Sequence, residues 1–360
     1  MSNLLTQMET PEDPSNLGMT IEQREVEGLS QGTIVRRRFF RHKGALISMC
    51  VLAVTFLLVY SSVGFNLFGL EIPGWWKYGY TAQGPIVNHG DPTWVLPFNF
   101  GDHPFGQDEI GRDIFARVMR GAQQSMVVTV LYGAIAAALG VVVGALAGFY
   151  RGRIDQWLMR LTDLFLIFPI IVLGAVLGQM VGGLGAAALG VVLGLIGWTE
   201  LARLVRGEFL SLREREFVDA ARVAGAGTGR IIFKHILPNA IGVVIVSTTL
   251  LMSSAILIEA ALSFIGFGIV APDVSLGQLI NLYQGAFTTR PWLFWWPGLF
   301  IIVIALCINF IGDGLRDAFD PRQRRIPGGT GPYRQMAALI AGVFRGSRQK
   351  SPAEPTVGQS

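Results

Sequence analysis

Charge is what this sequence has least of. Asp, Glu, Lys and Arg make up 15% of its 360 residues, where a water-soluble domain carries about 25%. The shortage is local: residues 44–70, 121–150, 164–199, 236–258 and 291–312 hold no charged side chain. Such runs exclude a water-soluble globule. Cysteine is nearly absent too. Cys50 and Cys307 are the two present, both inside apolar runs, where a thiol acts as a small apolar group. With no CxxC and no Cys/His cluster, neither a disulfide framework nor a metal site is expected. The chain also lacks GxxxxGK(S/T), the loop that cradles nucleotide phosphates, and it shows no nucleophile–base arrangement. It is therefore expected to be no enzyme and to bind no cofactor itself. Residues 1–35 are polar and acidic without an apolar core, so they do not read as a signal peptide; residues 1–43 are read as a cytoplasmic segment.

What the sequence does have is apolar length. A membrane-crossing helix takes about 20 mostly apolar residues. The uncharged runs supply six spans, at about 44–64, 125–149, 158–181, 185–205, 237–262 and 293–313. The 164–199 run is too long for one crossing and short for two. It divides at Gly182-Gly183-Leu184-Gly185, with Asp163 and Glu200 at the cytoplasmic edges of spans three and four. The expected fold class is all-α, an integral membrane protein of six transmembrane helices. The net charge is +4 and the pI about 9.3. The basic residues flank apolar runs, so they point to membrane topology and not to nucleic acid. With a cytoplasmic N-terminus, 24 of the 29 Lys and Arg fall in 1–43, 150–160, 200–235 and 313–360, and five in 65–124 and 263–294. That bias places both termini in the cytoplasm, leaving 65–124 as an extracytoplasmic loop. Gly140, Gly144 and Gly148, Gly174 and Gly178, and Gly190 and Gly194 recur at intervals of four. Such spacing lets helix backbones approach closely in lipid. It reads as packing inside this chain, with a share open to a second membrane subunit.

The connection at 206–236 is longer than two spans need. Phe217, Ala220, Ala221 and Ala224 fall on one helical face, with Arg and Glu on the other. Gly225 suits a helix C-terminus, Thr228 suits the cap of a second short helix, and Pro238 marks a bend before span five. The expected form is a helix–turn–helix at the membrane surface.

Asp219-Ala220-Ala221, then Gly225, then Ile236-Leu237-Pro238-Asn239 resembles the EAA loop of binding-protein-dependent ABC importers, with Asp219 where that family has Glu. Three more segments narrow the resemblance to dipeptide and oligopeptide permeases of the DppC/OppC type. They are His103-Pro-Phe-Gly-Gln-Asp-Glu-Ile-Gly-Arg-Asp113, Glu259-Ala-Ala-Leu-Ser-Phe-Ile-Gly-Phe-Gly268, and Asn309-Phe-Ile-Gly-Asp-Gly-Leu-Arg-Asp-Ala-Phe-Asp-Pro-Arg322. Together the matches cover about residues 40–322. The resemblance implies a type I ABC importer permease fold over 44–320 in the cytoplasmic membrane. It also implies pairing with a homologous permease, two cytoplasmic ATPases that carry ATP and Mg, and an external substrate-binding protein. The 206–236 loop would then couple to an ATPase subunit. The same family also moves nickel chelates, glutathione and oligosaccharides, so the cargo stays open between peptides and these. A self-sufficient secondary transporter is the third reading, and the long 206–236 loop argues against it.

Two further groups invite a role. Asp108, Arg112 and Asp113 form either a solvated charge cluster that orders the loop or a docking and gating element. Glu259, a carboxylate in a span, faces a bundle interior or an aqueous path; it either lines the cargo path or ties span five to a neighbour. Trp75, Trp76, Tyr78, Tyr80 and Trp94 read as interfacial anchors. In the tail 321–360, Met336, Leu339, Ile340, Val343 and Phe344 fall at helical spacing among Arg334, Arg345, Arg348 and Lys350. Residues 333–345 are either an amphipathic helix on membrane lipid or disordered chain.

Overall fold

The computed structural model of the chain describes residues 31–67, 70–93 and 101–320. The expectations for Trp94, for most of 1–43 and for the helix at 333–345 lie outside the described residues.

Helix α1 (Gln31–Phe39) turns into α2 (Lys43–Ser62), whose first turn is capped by His42 Nδ1 accepting from the Ala45 amide at 3.0 Å. A short antiparallel hairpin, β1 (Phe65–Leu67) and β2 (Leu70–Ile72), follows. It is a small departure from the all-α expectation. Helix α3 (Ile114–Tyr150) has 37 residues, about 55 Å at 1.5 Å each, against a hydrocarbon core of about 30 Å. Span two was expected to start near 125. The helix starts eleven residues earlier because Asp113 caps it, accepting from the Ala116 amide at 2.8 Å. Ile114, Val118, Met119 and Ala122 in these first turns are wholly buried, which lets charged residues share the helix. The loop expected at 65–124 therefore ends at Asp113.

The third span, expected over about 158–181, is bent. Helices α4 (Gly152–Ile167) and α5 (Ile170–Val181) meet at 82° across Phe168-Pro169. Phe168 is extended, with φ −92° and ψ 131°, because a following proline disfavours the α conformation. The expected break at 182–185 is present, with Gly185 at φ +87° opening α6 (Ala186–Ile196). Helices α6 and α7 (Thr199–Leu212) bend by 45°. At that bend a Cβ on Gly197 would lie 2.3 Å from the Tyr132 hydroxyl. Helix α8 (Glu216–Val223) precedes α9 (Thr228–Phe264), and α10 (Leu276–Tyr283) precedes α11 (Trp292–Phe319). Among the described residues, helices α2, α3, α9 and α11 are each long and apolar enough to cross a membrane; counting each bent pair as one crossing makes six.

Glycines set the helix contacts. A Cβ on Gly144 would meet the Ala202 carbonyl at 2.5 Å, and one on Gly148 would meet Phe209 at 2.7 Å, so α7 lies tight on α3. Gly190 and Gly194 bring α6 onto α3 in the same way, and Gly174 and Gly178 bring α5 onto α9 and the chain just after it. The close-packed rows are thus occupied within the chain. The contacts also sort the helix ends. A Cβ on Gly314 would meet Ala45, and Gly242 faces Phe319, so the end of α11 lies beside the starts of α2 and α9. Arg213 donates to the Phe149 carbonyl, and α8 packs on the same end of α3. Residues near 43, 150, 213–236 and 319 therefore gather at one end of the molecule. Residues near 64, 114 and 264–292 gather at the other.

Candidate functional site

At the first end, α8 sits on a firm mount. Val218 is fully buried against Phe149, Ile231 and Ile236 from α3 and α9, a burial that contributes about 1.5–3 kcal/mol. Its helix closes as the sequence suggests. The Gly225 amide donates to the Arg222 carbonyl at 2.9 Å and the Ala226 amide to the Ala221 carbonyl at 3.0 Å, with Gly225 at φ +78°. This is the paired-bond helix stop that glycine favours, since a left-handed residue without Cβ carries no penalty.

Three local expectations are corrected. The face Phe217, Ala220, Ala221, Ala224 is split: Val218 and Ala221 turn inward, while Phe217, Ala220, Val223 and Ala224 are exposed. Val223 is 91% exposed, and the fully buried Val218 takes the inner register that the alanine pattern had suggested. Thr228 is not the cap of a separate helix; Gly227 holds the cap position without a side-chain bond, and α9 runs on from Thr228. Pro238 makes no bend either. Ile231–Ile236 form a π-helical turn, with the Leu237 amide reaching the Ile232 carbonyl, so Pro238 enters at the first turn of the α segment that follows. There the missing amide costs little. Ile236 is buried, Leu237 half-buried, and Pro238 and Asn239 exposed, with Asn239 Nδ2 donating to the His235 carbonyl at 2.7 Å. Asp219 is exposed and accepts from Arg222 at 2.8 Å.

At the opposite end, residues 70–93 and 101–113 form a packed cap, and its two inner aspartates are not a solvated cluster. Asp108 and Asp113 are each 1% exposed. Asp108 accepts from the amides of Ile110 and Arg112, from Arg112 Nε at 2.6 Å, and from the Tyr283 hydroxyl at 3.0 Å. Burial pushes its carboxyl up, but the bonds and charge of Arg112 and the bond from Tyr283 outweigh this and hold it below the usual carboxylate range. Asp113 accepts from Trp76 Nε1 at 2.8 Å and pairs with His103 Nδ1 at 2.8 Å besides capping α3. There burial wins and pushes the carboxyl up. Gln107 accepts from the Val87 amide and donates to the carbonyls of Pro85 and Gly111. Tyr78 stacks on His103 at 4.4 Å and Trp76 packs on Phe115 at 4.5 Å. Trp76, Tyr78 and Tyr80 are half-buried in the cap and Trp75 stays exposed.

Glu259 lies wholly inside, where Ser125 Oγ and Ser263 Oγ donate to its two oxygens at 2.6 and 2.7 Å. The Ser125 bond ties α9 to α3. Sequence reading missed the neighbouring tie. Arg120 donates through two nitrogens to Asp273 at 2.8 and 3.1 Å, and Gln124 donates to the same carboxylate at 2.8 Å. The signal was visible as an arginine near a span, but its partner lies 153 residues away.

Residues 140–325 match the family described as binding-protein-dependent transport system inner membrane component. The chain belongs to this family. It is 36% identical over 312 residues to the oligopeptide transport system permease protein OppC of Haemophilus influenzae, covering 84% of this chain and 93% of that one. It is likewise 36% identical over 305 residues to the OppC protein of Mycobacterium bovis, covering 84% of this chain and 99% of that one. The inner membrane component is thus a multi-pass membrane protein of a binding-protein-dependent importer, a non-enzymatic transport part that works with a substrate-binding protein and an ATPase. Its two ends are unlike: one presents a small apolar patch on a firm mount, the other a hydrogen-bonded cap.

Proposed function

We propose that this inner membrane component forms, with a homologous permease, the path by which dipeptides or oligopeptides cross the cytoplasmic membrane. Two ATPase subunits carrying ATP and Mg dock at the α8 end, which is cytoplasmic, and an external binding protein delivers cargo at the 70–113 end. The observation that carries this reading is the exposed patch of Phe217, Ala220, Val223 and Ala224. An apolar patch facing water calls for a partner, and a chain without a phosphate loop needs one to use ATP. The peptide cargo rests on the likeness to the two oligopeptide permeases. Closure of the ATPase pair would pull α8; Val218 and the buried isoleucines of the π turn would pass that pull to α9 and α3. The direct test is uptake of labelled peptides in cells with and without this chain. Equal uptake in both sinks the peptide reading. A Val223→Asp variant that inserts normally but no longer holds its ATPase supports the docking surface, and normal retention removes it.

A further inference from the structure

Helix α4 carries an exposed apolar surface apart from the α8 patch. Its inner side is fixed to α7: Asp155 accepts from Arg206 at 2.5 and 2.7 Å, Asp163 pairs with Arg203, and Thr162 is wholly buried. These ties set the helix's roll. Nearly half a turn round from them, Ile154, Trp157, Leu161 and Leu164 recur at three- and four-residue steps, with Phe168 just past the helix end, and all are exposed, Trp157 at 72%. Arg153 and Arg160, seven residues apart, border this seam, exposed and without an ion pair among the described residues. Both aspartates of α4 are already matched by arginines of α7, so the positive charge on the seam's border is uncompensated.

The bend explains where this seam lies. Helix α5 has 12 residues, about 18 Å of rise, and cannot alone cross about 30 Å of hydrocarbon. With α5 upright in the membrane, the 82° bend lays α4 nearly flat, and a helix body about 10–12 Å across supplies the missing depth. That places α4 at the boundary of acyl chains and head groups, with apolar residues on one face and arginines beside them.

We infer that α4 is an in-plane helix that binds anionic phospholipid, its Ile154–Phe168 seam in the acyl region and Arg153 and Arg160 on the phosphates. The charge pattern decides the occupant: a seam destined for another apolar helix has no use for two unpaired arginines, while each basic residue at an anionic surface strengthens binding about fivefold. The protein, purified with its co-purifying subunits, is placed in nanodiscs of neutral lipid doped with phosphatidylglycerol. Retained phosphatidylglycerol is then counted by mass. Retention should weaken about fivefold for Arg153→Gln or Arg160→Gln and about thirtyfold for both. Wild-type retention in the double variant overturns the inference. Independently, a bimane dye on Trp157→Cys should be quenched by lipids brominated on the acyl chain. An unquenched dye that cross-links to a co-purifying membrane subunit shows a protein interface there and also overturns it. Neither reading depends on the cargo.

Discussion

At the residue scale, buried carboxylates organise this protein more than its few surface charges do. Asp108 is held ionised by Arg112 and Tyr283. Its carboxyl lies below the usual range when folded, so its stabilising contribution is present above the ordinary carboxylate pKa and is lost as pH falls through the folded value. Asp108→Asn should therefore lower the melting temperature at neutral pH, and the gap from wild type should close on acidification. Thermal scans across pH check this; a gap constant with pH would remove the linkage. Glu259 should respond to shape as well as polarity. Glu259→Gln keeps an acceptor for one serine and should cost about 1 kcal/mol. Glu259→Ala leaves two buried hydroxyls facing a cavity and should cost about 2–4 kcal/mol. Chemical denaturation in detergent separates the two.

At the scale of elements, glycine conformation and proline placement decide how the helices stop and bend. Nothing lies within 4 Å of a Cβ built on Gly225, yet its φ is +78°. Its requirement is therefore conformational and not steric. Gly225→Asn, which tolerates that conformation, should keep peptide-stimulated ATPase activity near wild type. Gly225→Val should cost about 1–2 kcal/mol in α8's stop and weaken that stimulation. Equal activity in both variants would show that the turn does not matter for coupling. Gly178 is the opposite case: a Cβ there would lie 2.2 Å from the Phe267 carbonyl. Gly178→Leu should force α5 off the chain that follows α9, lowering the yield of folded protein in size-exclusion profiles by the about 1–3 kcal/mol or more of an overpacked contact. An unchanged profile would mean that α5 moves freely there.

At the scale of the whole molecule, the described residues near 43, 150, 213–236 and 319 meet at one end and the cap closes the other. Labelling tests the polarity proposed for them. A membrane-impermeant maleimide should reach Glu109→Cys in intact cells and Val223→Cys only after permeabilisation. The reverse pattern would invert the orientation while leaving the fold intact.

The sequence by itself determined the membrane class, the count of apolar runs, the break at 182–185 and the glycine stop at 225. Each of these is local: run length, charge distribution and one residue's backbone freedom settle it. Only the tertiary structure decided which carboxylates are buried and tied across helices, because Tyr283 lies 175 residues from Asp108 and Ser125 lies 134 residues from Glu259. It likewise decided that α8 turns Val218 and not its alanine row inward, since two faces of a short amphipathic helix differ only in what packs beneath them. The 82° bend had its cue in Phe168-Pro169, but the pairing of α4 with α7 through Arg203 and Arg206 is seen only in the tertiary structure.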